Sequence, residues 1–221
     1  MISTENILKE YKGYLQTDGY IVYEDFDKNP DIIVFNCMAH ARRKFSEALA
    51  NDQSRAEHVL AEIQKLYAIE RQLTDNNITG KDKLDYRKEQ ALPILKELLV
   101  WMQKAYAEVL PSSAIGKAIA YSLSRWDKLS LYATTDFLSI DNNPVENSIR
   151  PVAVGRKNYL FAGSHAAAQR SAIFYSLLAT CKNYNINPTD WMQDILTRIA
   201  SCPINKIQDL LPQNWKQPHH I

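Results

Sequence analysis

Charged and aliphatic residues alternate at helical spacing from Glu5 to Tyr11, and Gly13 interrupts them. Tyr14 to Thr17 reads as a short strand that runs into Asp18-Gly19, a turn pair. The aromatic-rich stretch Tyr20 to Phe26 fits a helix start or a second extended piece, and Asn29-Pro30 marks a turn. Ile32, Ile33, Val34 and Phe35 form a compact apolar run, most simply a buried strand. Met38-Ala-His-Ala-Arg-Arg-Lys-Phe continues it as a helix whose polar flank displays Arg42, Arg43 and Lys44.

The pattern changes character from about Ser46 to Leu129. Val59, Ile63, Leu66 and Ile69 keep helical spacing, as do Leu92, Leu95, Leu98, Leu99 and Met102, with Asn76, Asn77 and Gly80 between the runs. Pro111-Ser112-Ser113 breaks the second run and offers a cap for a third, from Ala114 to Trp126. Such a block reads as a packed helical insertion with solvated outer faces, and a partner-binding role is the alternative. Further on, Ile173, Leu177, Leu178 and several alanines predict a buried helix within residues 166–183. Asn187-Pro188-Thr189 restarts a helix through Trp191, Ile195, Leu196 and Ile199. Pro203 and Pro212 interrupt the tail, and Pro218-His219-His220-Ile221 reads as a frayed end.

Composition narrows the class. With 46% hydrophobic and 23% charged residues the chain is an ordinary globular protein, and 221 residues can bury a good core. Its 26 basic and 25 acidic side chains rule out a polycation, so a nucleic-acid surface would need local segregation of charge. Cys37, Cys181 and Cys202 are an odd number without metal-ligand spacing, which points to reduced thiols and a cytoplasmic location. No run reaches membrane-spanning length, and the polar start Met1-Ile-Ser-Thr-Glu-Asn does not read as a signal peptide.

Segregated charge does occur, around Ile140 to Ser164. Asp141, Asn142 and Asn143 can accept from the first N–H groups of a helix, and Pro144 suits its first position. That helix carries Glu146, with Arg150 one turn later, and Pro151 is expected to end or bend it. No Asp or Glu occurs from Asn147 to Thr189, whereas Arg150, Arg156, Lys157, Arg170 and Lys182 do. One acid ahead of a basic tract suits a metal ligand beside a phosphate track. The same residues also describe a capped surface helix with Glu146 paired to Arg150. Asp18 has two readings as well: a plain Asp-Gly turn, or a carboxylate projecting from a strand end. If it met Glu146, the pair could bind Mg²⁺ for phosphoryl transfer. His40 reads most simply as a packed or capping residue and Cys37 as a buried thiol. Glycine-rich phosphate loops, Gly-x-Ser-x-Gly, Cys-x-x-Cys and His-Glu-x-x-His are all missing from the sequence.

Five segments in order extend this picture: Leu15-Gln-Thr-Asp-Gly-Tyr, Met38-Ala-His-Ala-Arg-Arg-Lys-Phe, Ile140-Asp-Asn-Asn-Pro-Val-Glu-Asn-Ser-Ile-Arg-Pro, Gly155-Arg-Lys-Asn-Tyr-Leu-Phe-Ala-Gly-Ser and Leu210-Leu-Pro-Gln-Asn-Trp. Together, from about Gly13 to Trp215, they resemble the insertion sequence 66 family of bacterial transposases. The resemblance implies an α/β fold, helix-rich overall: an incomplete ribonuclease-H-like core with a large all-helical insertion. The implied segments are core 1–45, insertion 46–130, core 131–200 and tail 201–221. It implies DNA strand cleavage and transfer at transposon ends with Mg²⁺ or Mn²⁺. Asp18 matches the family's second acid and Glu146 its third, both as catalytic metal ligands, while Asp141-Asn142-Asn143 matches the lead-in and Arg150 the following arginine. Arg42, Arg43, Lys44, Arg150, Arg156, Lys157 and Arg170 are the expected DNA contacts. The family's first aspartate belongs to an earlier strand and has no counterpart after Met1. The chain therefore reads as a C-terminal piece, inactive alone, that works with an upstream transposase segment or by self-association. The alternative is a catalytically silent DNA-binding or assembly module.

Overall fold

The structure is a computed structural model and describes residues 8, 10–159 and 161–216. The helix read from Glu5 to Tyr11 falls mostly outside these residues, and the Pro218–Ile221 tail wholly so. The chain divides into two compact units, Met1–Asn143 and Pro144–Ile221.

The first unit is built on two parallel strands, β1 (Gly13–Thr17) and β2 (Ile32–Asn36), in register Gly13↔Ile32 to Thr17↔Asn36. Parallel strands need a crossover, and here a 3₁₀ helix at Ile21–Lys28 supplies it, which decides the open reading of Tyr20–Phe26. Side chains alternate between the two sheet faces. Leu15, Ile32 and Val34 meet Phe26 and Tyr23 in a small core, whereas Tyr14 and Phe35 face the main one. Among the described residues β1 pairs only with β2, and Ile33 is 45% exposed, so β2 is less enclosed than its apolar run suggests.

Helix α1 (Met38–Ala48) leaves β2 directly and buries Met38, Ala41, Phe45 and Ala48, one stripe at helical spacing. It packs against α2 (Gln53–Asp75) and against α5 (Ala114–Ser124). Between them run α3 (Gly80–Tyr86), a π-helical turn at Arg87–Ala91, and α4 (Leu92–Ala107). Asp52 and Ser113 cap α2 and α5 through the Arg55 and Gly116 N–H groups. A short α6 (Trp126–Ser130) and a 3₁₀ turn at Leu131–Thr134 lead out of the block. One continuous core runs from Phe35 to Ile140, so the helical block and the sheet share their buried face.

The second unit holds α7 (Asn143–Tyr159), α8 (His165–Asn183) and α9 (Pro188–Arg198). One sequence expectation is narrowed here and another corrected. Pro151 does not end the Glu146 helix, one of the two outcomes expected of it, but lies inside α7, because proline deletes one ladder bond without melting the turns on either side. Nor is α8 a buried helix: Ile173 and Phe174 are exposed and Cys181 alone is buried along it. Ile173, Phe174, Leu177 and Leu178 lie on one side of it, and none of the four is buried. The tail folds back onto α8 and α9. Trp191 Nε1 donates to the Leu210 carbonyl at 3.0 Å and Trp215 Nε1 to the Asp194 carboxylate at 2.7 Å. Both ends of the Leu210–Trp215 segment thus close the small core of Cys181, Trp191, Ile195 and Leu210. Among the described residues the fold is helix-rich with one two-stranded sheet.

Candidate functional site

β1 delivers Asp18 to an exposed turn at its carboxyl end. The Asp18 carboxylate accepts the Tyr20 N–H at 2.9 Å, and Gly19 has φ +82°, a region costly for any residue with a Cβ. The turn is gripped from α5. Tyr121 donates its hydroxyl to the Asp18 carbonyl at 3.0 Å, and the Arg125 guanidinium lies over the Tyr121 ring at 4.7 Å. A Cβ on Gly19 would come within 2.6 Å of the Tyr121 hydroxyl. Two ion pairs complete the grip, Arg125–Glu24 at 3.0 Å and Lys128–Asp27 at 2.5 Å. The helical block therefore fixes the backbone that carries the candidate acid.

The segment leading into α7 is pinned to the same unit. Gln16 Nε2 donates to the Ser139 carbonyl at 3.0 Å, the Met38 N–H to the Ile140 carbonyl at 3.0 Å, and the Asn142 N–H to Cys37 Sγ at 3.5 Å. Asp141 is buried, and its two oxygens accept the Asn143 N–H at 3.1 Å and the Asn143 side-chain amide at 2.6 Å. Asp141 thus acts as the expected helix-entry acceptor, whereas Asn142 Oδ1 is buried with no hydrogen-bond partner and the Asn143 amide donates to Asp141. Burial, and then the Asp141 carboxylate, push the Tyr67 phenol far above its ordinary value, with Arg42 opposing. Burial also raises the Tyr121 phenol, with Arg125 and Arg43 opposing and Asp18 adding. The cations of α1 thus come within electrostatic reach of both the Asp18 turn and the α7 lead-in. Arg42, Arg43 and Lys44 are all exposed.

Sequence reasoning missed Arg87. Its side chain is fully buried and forks onto Glu70 at 2.8 and 2.6 Å, while its remaining donors reach the carbonyls of Tyr132, Thr135 and Leu138 at 2.9, 2.6 and 2.9 Å. A charge that deep is tolerated because every donor direction used finds an oxygen. Arg87 holds the strand of chain that runs on to Asp141. A signal existed: Arg87 continues the stripe of Ala91, Leu95, Leu98, Met102 and Ala105 toward the amino end, all of them buried.

In the second unit Glu146 is exposed on the first turns of α7, with Arg150 and Lys157 four and eleven residues on, along nearly the same stripe. Arg156 lines a pocket of about 260 Å³ with Val152, Phe161 and Tyr175, and Arg170 is exposed on α8. Asp18 and Glu146 lie in different units. Among the described residues, no group of three or more His, Cys, Asp or Glu could hold a metal ion. Asp18 suits such an ion in chemistry, being a hard, exposed oxygen donor, but does not complete a site within its unit. No helix among the described residues is long and apolar enough to cross a membrane.

Comparison with known proteins fits this arrangement. Residues 2–170 match the family described as "Transposase IS66 family", and residues 176–213 match the "IS66 C-terminal element". Similar proteins of Sinorhizobium fredii include uncharacterized protein y4hP, 34% identical over 95% of this chain and 41% of that protein. Uncharacterized protein y4jD is 31% identical over 96% of this chain and 43% of its own length. The chain thus spans about two-fifths of the curated relatives it matches. No solved structure matches it. With the Asp18 turn, the α7 lead-in and the Leu210–Gln213 part of the tail motif inside the matched segments, this chain belongs to the IS66 transposase family.

Proposed function

We propose that this chain is the part of a DNA-transposing enzyme that contributes the second and third acids of an acidic triad, Asp18 and Glu146, to a ribonuclease-H-like core. The observation that carries the reading is the Asp18 turn: an exposed carboxylate at the carboxyl end of a parallel strand, clamped through Tyr121 by a helical block. Ligands of open parallel sheets gather at that edge. Within the first unit, Ser139, Ile140 and Asn142 pin the segment that leads into the Glu146 helix to β1, α1 and Cys37.

Asp18 and Glu146 would hold Mg²⁺ or Mn²⁺, which when bound activates the attacking oxygen and stabilises the leaving one. Arg42, Arg43, Lys44, Arg150, Arg156, Lys157 and Arg170 would take DNA backbone phosphates and set the register of the strand. Action at transposon ends would require an upstream transposase segment or a second copy. Purified alone, the 221-residue chain should bind DNA with an affinity that falls steeply with salt and should show no Mg²⁺-dependent strand transfer. Strand transfer by the isolated chain, lost in Asp18→Ala, would contradict the incomplete-triad part of the reading.

A second reading is a catalytically silent DNA-binding or assembly module, since Asp18 and Glu146 fall in different compact units. Divalent-ion binding that weakens in Glu146→Gln separates the first reading from the second.

A further inference from the structure

The motif Gly155-Arg-Lys-Asn-Tyr-Leu-Phe-Ala-Gly-Ser spans the end of α7 and the turn into α8, and its Phe161 is 78% exposed. The backbone explains the display. Gly163 turns the chain at φ +80°, a region open to glycine, and Ser164 Oγ caps α8 by accepting the Ala167 N–H at 3.1 Å. Phe161 thus stands just ahead of a capped helix start, beside the pocket of about 260 Å³ that it lines with Arg156 and Tyr175. The small side chains of Ala168, Ser171 and Ala172 also line that pocket. Phe161 and Tyr175 border a second groove as well, of about 510 Å³, with Phe174 and Leu178. Phe174 is 51% exposed and Ile173 58%, so Phe161 belongs to an apolar patch and is not a lone surface ring. Such patches mark interaction sites.

Charge selects the occupant. Residues 144–221 carry eight Lys or Arg against four Asp or Glu, and neither α7 after Glu146 nor α8 carries an acid. Arg156, Lys157 and Arg170 are all exposed within this tract. An anion with a flat apolar part matches cations and aromatic rings set side by side. The same face of a second copy would instead set cation against cation. In DNA the two parts recur at every nucleotide, as phosphate and base. We propose that Phe161 enters DNA as a wedge between two bases, that the adjoining pocket receives the base it displaces, and that Arg156 takes a neighbouring phosphate. Apolar wedges of this kind unstack a base step and kink the duplex. This inference rests on the DNA reading above and deepens it: Phe161, which that reading leaves unused, would open the strand.

The test uses the whole chain and fluorescence anisotropy with two labelled DNA duplexes, one fully paired and one identical but for a central bulged base. The bulge supplies an opened step in advance, so it should bind about tenfold tighter, the worth of one base–aromatic stack. Phe161→Ala should abolish that preference, and Phe161→Trp should keep it. Because Phe161 is exposed, neither substitution disturbs a core. Arg156→Gln should weaken both duplexes alike, as loss of a phosphate contact does. Equal affinity for the two duplexes, or a preference that survives Phe161→Ala, would overturn the wedge and leave the DNA reading standing. Self-association lost in Phe161→Ala, with no preference between duplexes, would overturn it in favour of a second copy on the patch. Binding to neither duplex would remove the DNA reading as well.

Discussion

Tyr121 meets the Asp18 carbonyl across 103 residues of sequence, and the hydroxyl that does so is pushed up by burial and stays protonated at any physiological pH. Tyr121→Phe should cost about 1 kcal/mol of stability through that one bond, read from a shift in the urea midpoint with an unchanged slope. Gly19→Ala should cost more, about 1–3 kcal/mol, since it adds a positive-φ penalty to a contact of 2.6 Å with the same hydroxyl. If the two variants lose equal amounts, the close approach to Tyr121 is not what holds the turn. The Asp18-Gly19 pair was legible as a turn because glycine marks positive φ. The residue that clamps it was not, since helical periodicity places Tyr121 on a helix without saying which distant carbonyl it meets.

At the scale of elements, the fixed point is the π-helical turn at Arg87–Ala91 and the loop that Arg87 draws in. Removing the guanidinium strands Glu70, whose side chain is 15% exposed, and three carbonyls with it. Arg87→Met should therefore lower stability by about 3–5 kcal/mol, and adding Glu70→Leu should restore part of the loss, because breaking a buried pair costs more than deleting both partners. Additive losses in the double variant would contradict a paired role. The lengths of the helical runs were readable from their apolar stripes. The length of α7 was not, because a proline admits either an end or a bend and the sequence alone does not choose between them. The exposure of α8 was also hidden, since Ile173, Phe174, Leu177 and Leu178 lie on one side of the helix at a spacing that reads as a buried face.

Across the molecule, protons report on the first unit. Burial raises the Cys37 thiol and the Tyr67, Tyr121 and Tyr132 phenols. Their neutral forms are favoured in the folded state, so above the ordinary values of about 8.5 for cysteine and 10 for tyrosine the native chain retains protons that the unfolded chain releases. Their stabilising contribution is fully present below those values and is lost as pH rises through the raised folded ones. Urea midpoints should accordingly fall from about pH 9 upward, and a flat profile to pH 11 would contradict it. The family, the strand carrying Asp18 and the lead-in to Glu146 were all readable from motif order. The division into two units was not, because no glycine-rich linker marks residue 143 and the acid-free tract after Glu146 reads as surface chemistry and not as a boundary.

The central claim, that Asp18 and Glu146 serve one divalent-ion site, is tested most directly by Mn²⁺ titration followed by electron paramagnetic resonance. The whole chain would be compared with Asp18→Asn, Glu146→Gln and the double variant. A shared site predicts that either single substitution weakens Mn²⁺ binding nearly as much as both together. Independent, additive effects, or an affinity untouched by either change, would contradict it.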